Sequence, residues 1–511
     1  MTAGQVALVA VLALPALGAA TVALLPGRAD LAARVAATGF AGAAFVASVV
    51  LGAVDRGGGW FSYQPAGGPP PIVPWSQVDA PWVPGLDLRL HLGVDGISYP
   101  LVVLTTLLTL LCCLYTVWHV PSGGGRGAPL VALLLVVEVG MLGTFLALDL
   151  VLFFVFFEVV LLPMYAVIAG WGGDDRRHAA RKFALYTLFG SVLLLVGVFT
   201  VVAAAGTADL VTLTSGAVSL SRTTQLAAFT LLAIAFAVKS PLWPLHTWLP
   251  DAHTQAPTVG SVILAGVLLK MGTYGLIRVA VGVAPEGARW ASPLLGALAV
   301  AAILVGCLVC LAQTELKRLI AYSSVGHMGF VLLGVATLTA TGIQAALIGN
   351  VAHGVITGLL FFLAGAVKDR FHTGDLSVLG GLRERSPWLS GLLAFAAIAS
   401  LGLPGLAGFW GEAFAVAAAV ERGGAGWVAL AVLAAIGGAL TAAYFLRMLR
   451  KVTHGPASPA VTAAPAVRVS GAELVAWSPL IVLALVVGLV PALVLEFSDV
   501  PVQSLIEAVI R

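Results

Sequence analysis

The stretch Val238-Lys239-Ser240-Pro241-Leu242-Trp243-Pro244-Leu245-His246 interrupts a run that is otherwise apolar from Leu226 onward. About 20 apolar residues cross a bilayer as one helix. Two prolines remove backbone donors and clash with the preceding turn, so the helix must stop. A lysine stands at the stop. Broken backbone at membrane depth is tolerated only where it is buried in protein or lines a watery cavity. An ionisable side chain there costs about 2.5–3.5 kcal/mol on insertion scales. The segment therefore predicts a bundle of many helices with a polar interior path, not a single anchor.

A second stretch repeats the device. Ser400-Leu401-Gly402-Leu403-Pro404-Gly405-Leu406-Ala407-Gly408-Phe409-Trp410-Gly411-Glu412 places proline and glycines in an apolar run and an acid at its end. The two breaks carry opposite charges, Lys239 beside Pro241 and Pro244, and Glu412 beyond Pro404. Five spans separate the two broken helices, and an odd offset inverts topology, as in transporters built from inverted repeats.

Composition agrees. The chain has 511 residues, 60% of them hydrophobic and 10% charged, with a mean hydropathy of +1.04. Soluble domains carry about 25% charged residues, so no soluble surface can be built from this chain. The net charge of +3 implies no anionic partner, and nucleic-acid binders and disordered scaffolds are excluded. The four cysteines lie in apolar runs as Cys112-Cys113 and Cys307/Cys310 and read as small buried hydrophobes, not cluster ligands.

The fold class is an all-α polytopic membrane protein of one domain, 1–511. Fourteen spans are expected, near 4–26, 31–53, 96–118, 129–147, 150–170, 182–205, 226–249, 257–281, 291–312, 319–340, 342–367, 389–419, 427–448 and 474–496. Within them, 129–281 and 291–448 form two inverted five-helix repeats, each with a broken helix. The stretch 206–225 has room for a further short helix, and 55–95, with Gly67-Gly68-Pro69-Pro70-Pro71, reads as an ordered loop or hairpin. Lysines and arginines such as Arg176, Arg177, Arg181, Lys182, Lys317 and Arg318 fall on one side of the alternating loops, while Arg56, Arg89, Arg222, Arg278 and Arg511 fall on the other. The positive-inside rule then puts both termini outside a bacterial cell (inner) membrane.

Five charges stand well inside spans: Glu138, Glu158, Lys239, Lys270 and Glu412. Glu158 lies about 12 Å into its span, and Lys239 and Lys270 about 20 Å into theirs. His327 and His353 also fall in span interiors. Acids and bases near one depth on different helices describe a line in the membrane plane. Carboxyl, amine and imidazole release protons where burial and partners dictate, so such a line suits proton transfer. The blander readings are a structural Glu158–Lys239 ion pair and hydrogen-bonded interior histidines.

Leu148-Asp149-Leu150-Val151-Leu152-Phe153-Phe154-Val155-Phe156-Phe157-Glu158-Val159-Val160-Leu161-Leu162-Pro163-Met164-Tyr165 and Phe236-Ala237-Val238-Lys239-Ser240-Pro241 resemble the antiporter-like membrane subunits of respiratory complex I, NADH–quinone oxidoreductase. So do Pro244-Leu245-His246-Thr247-Trp248-Leu249-Pro250-Asp251-Ala252-His253 with Ala256-Pro257-Thr258, Leu269-Lys270-Met271-Gly272, and Tyr322-Ser323-Ser324-Val325-Gly326-His327-Met328-Gly329. The sister subunits L and N place lysine where this chain has Glu412, which separates it from them. The short tail after the last span also lacks the long lateral helix of subunit L.

The resemblance implies roles. Glu158 and Lys239 would be an ion pair that opens and closes, Lys270 a central relay, His327 and His353 the onward connection, and Glu412 the terminal group toward the outside. Glu138, His246 and Asp251 are further candidates, Glu138 departing from the best-known pattern. No redox centre is implied in this chain: FMN, iron–sulfur clusters and quinone would sit in partner subunits, with L and N as neighbours, the lipid bilayer around them and no nucleic acid. Two other readings share the motifs, a subunit of a multi-subunit cation/proton antiporter and the membrane subunit of an energy-converting hydrogenase. A passive scaffold with structural ion pairs is a third.

Overall fold

The computed structural model describes residues 1–54, 72–86, 88–121, 125–463 and 468–510. The run Gly67–Pro71 and the bases Arg56 and Arg511 lie outside the described residues. The chain is a helical bundle in which, among the described residues, twelve helices are long and apolar enough to cross a membrane. They are Ala3–Leu24, Gly27–Leu51, Tyr99–Trp118, Gly127–Leu146, Leu150–Trp171, Arg176–Ala205, Thr258–Val281, Pro285–Ala312, Leu316–Thr337, Ala340–Phe371, Ala425–Thr453 and Gly471–Leu489.

The two remaining expected spans are the two proline-rich stretches, where the described residues form no single continuous helix of that length and apolarity. The expected span 226–249 is divided into the helix Arg222–Lys239 and the helix Trp248–Gln255. The expected span 389–419 is divided into Pro387–Ser400 and Gly408–Arg422. The freed backbone finds partners inside the protein. The Trp248 indole donates to the Val238 carbonyl at 3.0 Å, and the Ala407 amide donates to Ala484 of the Gly471–Leu489 helix at 2.9 Å. Gly402 and Gly405 turn the second break at φ 77° and 91°, a region that only glycine enters freely.

Capping sets the remaining ends. Asp149 accepts from the amides of Val151 and Leu152, and Glu315 accepts from that of Arg318, each starting an apolar helix. Pro100, Pro285 and Pro387 sit in first turns, where a missing amide costs nothing. The short helix Leu210–Thr214 occupies the stretch where one was expected.

Strands Ser76–Val83 and Leu88–Val94 form an antiparallel hairpin at one end of the bundle, as the loop reading of 55–95 allowed. Both termini reach that end. Gln5 donates to the Gln77 carbonyl at 3.0 Å, and Phe497 packs on Tyr99 at 5.0 Å and on Trp75 at 6.4 Å. Phe497 belongs to a further helix, Ala492–Ile510, that follows the last span. Thr258–Val281 and Ala340–Phe371 are enclosed by protein over their apolar windows. Arg176–Ala205 instead turns Leu185, Leu188, Phe189, Val192, Val196 and Phe199 outward as an exposed apolar stripe. All four cysteines are free and buried.

Candidate functional site

The two enclosed helices carry the central groups. On Thr258–Val281, π-helical turns at Leu264–Leu268 and Leu276–Val281 flank Lys270, and such irregularities recur at functional sites. The Lys270 ammonium nitrogen is fully buried and donates to the Ala265 carbonyl at 2.6 Å. Its second partner is His353 Nδ1 on Ala340–Phe371, at 2.7 Å. One turn away, Thr273 donates to Asn350 Oδ1 at 3.0 Å, holding the two helices in register.

The line continues. The His353 and His327 rings meet edge to face with centroids 5.9 Å apart. His327, on Leu316–Thr337, faces Glu412 Oε1 through Nδ1 at 2.8 Å and the Ser400 hydroxyl through Nε2 at 3.0 Å. Ser400 and Glu412 flank the second break, so the interruption of the helix is what brings both to one imidazole. Between the histidines lies a cavity with about 30 Å³ of space for water centres, lined by His327, His353, Ser400 and Glu412. A water needs roughly 10–15 Å³ by that measure. The cavity therefore has room for water between His353 and His327, which share no direct hydrogen bond among the described residues.

The other end of the line is organised differently. Lys239 closes the helix Arg222–Lys239, where the negative helix end favours a cation. Its ammonium is buried, lies 4.8 Å from the Phe157 ring centroid, and has no hydrogen-bond partner among the described residues. Glu158, the next residue, accepts from the Ser191 hydroxyl. No Glu158–Lys239 ion pair within 4 Å occurs among the described residues: the expected pair is open in this structure. The Lys239 and Lys270 helices meet closely, because a Cβ at Gly272 would lie 2.3 Å from Ser240 Oγ and 2.8 Å from the Phe236 carbonyl.

Three candidates stand apart. Glu138 is fully buried with both carboxyl oxygens unpartnered among the described residues, and it joins no chain. His246 lies in the first break with its ring 6.2 Å from Tyr322. Asp251 pairs with Lys182 at 2.6 Å and Arg318 at 3.6 Å, which cross-links Arg176–Ala205 to Leu316–Thr337.

Sequence reasoning missed other buried polar groups. His253 is fully buried, stacked on Phe361 at 4.5 Å, with both ring nitrogens unpartnered among the described residues. It sits two residues past Asp251 in a motif already singled out, and the test applied to His327 would have found it. Arg278, assigned to an outer loop end, is instead buried in an ion pair with Asp95. Lys317, counted as a loop base, is also buried and donates to the Ala256 carbonyl at 3.0 Å. Ser191, Ser400 and Asn350 carry no sequence signal, since hydroxyls and amides are common in helices.

Residues 147–441 match the family model described as NADH:quinone oxidoreductase/Mrp antiporter, TM. The chain is 41% identical over 440 residues to NADH-quinone oxidoreductase subunit M of Rhodobacter capsulatus, covering 84% of each. It is 42% identical over 387 residues to NAD(P)H-quinone oxidoreductase chain 4 1 of Synechococcus sp. (strain JA-3-3Ab), covering 74% of this chain and 72% of that one. Among solved structures, a chain of respiratory complex I from Thermus thermophilus with bound NADH superposes with a TM-score of 0.84 at 30% identity, over 98% of this chain and 99% of that one. A chain of the Mrp complex from Dietzia sp. DQ12-45-1b shares the fold, with a TM-score of 0.81 at 23% identity over the whole of both chains.

The chain belongs to the NADH:quinone oxidoreductase/Mrp antiporter family of polytopic membrane proteins. Within it, the chain falls with the antiporter-like subunits M of NADH-quinone oxidoreductase.

Proposed function

We propose that this chain is a proton-translocating membrane-arm subunit of complex I. NADH oxidation and quinone reduction take place in other subunits, which hold the FMN, the iron–sulfur clusters and the quinone. The observation that carries the reading is the line Lys270–His353–His327–Glu412, buried at its first two members and partly buried at its last two, spread over four helical segments. Each member can hold or release a proton, and successive members are joined by a hydrogen bond or a water-sized gap.

The chemistry of a step follows from the contacts. When Lys270 is charged, it donates to the lone pair on His353 Nδ1, which places the imidazole proton on Nε2, toward His327. A proton passed to His327 can move on to the Glu412 carboxylate through the 2.8 Å contact. A charge change at Glu158 would shift Lys239, whose ammonium lies over the Phe157 ring and has no hydrogen-bond partner among the described residues. Lys239 lies behind the Lys270 helix across Gly272. Closing and opening of the Glu158–Lys239 pair thereby changes the field at Lys270 and drives its proton onward.

Two inverted repeats, 129–281 and 291–448, support this use of the fold. The Leu150 and Leu210 amides donate to the Ala208 and Leu148 carbonyls, and the Leu316 and Leu376 amides donate to those of Gly374 and Thr314. One constant sequence spacing relates all four pairs of positions. In this reading Lys239 serves the first repeat and Glu412 the second, both termini and the hairpin face the outside of the bacterial cell membrane, and the sister subunits L and N flank the chain.

The shared fold of the Mrp chain favours a second reading, cation/proton exchange without electron transfer. NADH-driven pumping by the wild-type complex separates the two, and replacing Lys239 or Glu158 by alanine tests the relay. The expected result is an assembled complex with sharply reduced NADH-driven proton pumping, measured in inverted vesicles. Pumping retained in both variants would remove the relay role.

A further inference from the structure

At the bundle end opposite the hairpin lies an open polar pocket, about 1380 Å³ including the solvent within it, whose lining includes Tyr115, Trp171, Arg176, Lys317, Lys368 and His372. Its cations outnumber its acids. Of the lining carboxylates, Asp369 is held by His119 at 2.9 Å, leaving Asp174. The cationic donors are largely unused. Lys317 gives one hydrogen bond, to Ala256, and Arg176 gives one, to Gly172 in its own turn. The Tyr115 hydroxyl is a second, independent sign: the residue is 3% exposed, lines the cavity, and has no partner for its oxygen among the described residues.

Lysine and arginine donate and cannot accept. Two buried donors, Lys317 and the Tyr115 hydroxyl, with the half-buried Arg176 and the exposed Lys368 around the same open space, call for an anion with several acceptor oxygens. The level of the cavity narrows the choice. Trp171 lines it and Trp118 borders the adjoining pocket, at the helix ends where indoles mark the membrane–water interface. We propose that this cavity is a phosphate site, filled by the headgroup phosphate of an anionic phospholipid from the leaflet at this end. Basic pockets between membrane helices recognise such headgroups, each lysine or arginine contributing about 1 kcal/mol. Arg176 and Lys368 supply charge from the lining, and the buried Lys317 and the Tyr115 hydroxyl supply further donors. The proposal is independent of the proton-transfer reading.

The test uses the delipidated, assembled membrane complex that carries this chain, with native mass spectrometry counting bound ligand. The probes are short-chain phosphatidylglycerol, short-chain phosphatidylcholine and inorganic phosphate. The wild-type complex should bind one more phosphatidylglycerol than Arg176→Gln/Lys368→Gln, or bind it about thirtyfold more tightly, as two such charges imply. Tyr115→Phe should weaken it about fivefold without changing charge, and Arg176→Lys/Lys368→Arg should retain it. A difference seen with inorganic phosphate and not with phosphatidylglycerol would keep the phosphate site and reassign its source to the free ion. Equal binding by wild type and the double glutamine variant for every probe would overturn the proposal, as would a preference for phosphatidylcholine.

Discussion

Glu412 faces His327 Nδ1 at 2.8 Å, and a glutamine there keeps the shape of the contact while giving up the charge. A proton can then no longer be stored at this end of the line. Glu412→Gln is expected to lower pumping by at least about tenfold, with the complex still assembled, since a positioned acid–base group contributes about a hundredfold or more. Pumping rates in vesicles normalised to subunit content check this. Residues such as Glu412, Lys239 and Lys270 were legible because a charge in an apolar run is conspicuous and costly. Their partners were not. Ser400 and Ser191 acquire meaning only from inter-helix distance, and the separation of Glu158 from Lys239 depends on where the Phe157 ring lies. Arg278 looked like an outer-loop base because the sequence does not say that Asp95 approaches it.

Among the helices, close approach at Gly272 sets the spacing of the Lys239 and Lys270 segments. An added Cβ would meet the Phe236 carbonyl and the Ser240 amide, each at 2.8 Å, and backbone cannot step aside cheaply. Gly272→Ala is expected to destabilise the subunit by about 1–3 kcal/mol through overpacking, visible as a lower thermal midpoint of the solubilised complex. A different contact ties the end of Tyr99–Trp118 to that of Ala340–Phe371. The hydrogen bond to Asp369 raises the pKa of His119 above the ordinary 6.5. A raised histidine stabilises fully below the unfolded value, and the contribution disappears as pH rises through the folded value. The melting difference between wild type and His119→Gln should therefore be present at pH below about 6.5 and vanish at alkaline pH. The breaks at Pro241, Pro244 and Pro404 could be located from sequence, because proline and glycine act locally. The division of two spans into four shorter helices could not be counted that way. The last helix, Ala492–Ile510, was hidden because Glu496, Asp499, Pro501 and Glu507 dilute its apolar signal. Packing of Phe497 on Trp75 and Tyr99 and the bonds from Arg289 to the Val509 and Ile510 carbonyls hold it.

At the scale of the molecule, a chain with 10% charge places its few interior ionisable groups on its two most enclosed helices and their neighbours. The membrane class followed from composition. The order of the line did not, because it requires Thr258–Val281 to lie against Ala340–Phe371, and that in turn against the second break. Lys270 is the group on which the whole arrangement converges, and Lys270→Met removes its charge and its bond to His353 while keeping an unbranched side chain. The decisive measurement is the number of protons moved per NADH oxidised by the reconstituted complex carrying that substitution. The account predicts a ratio clearly below wild type with the complex fully assembled. A wild-type ratio would contradict it.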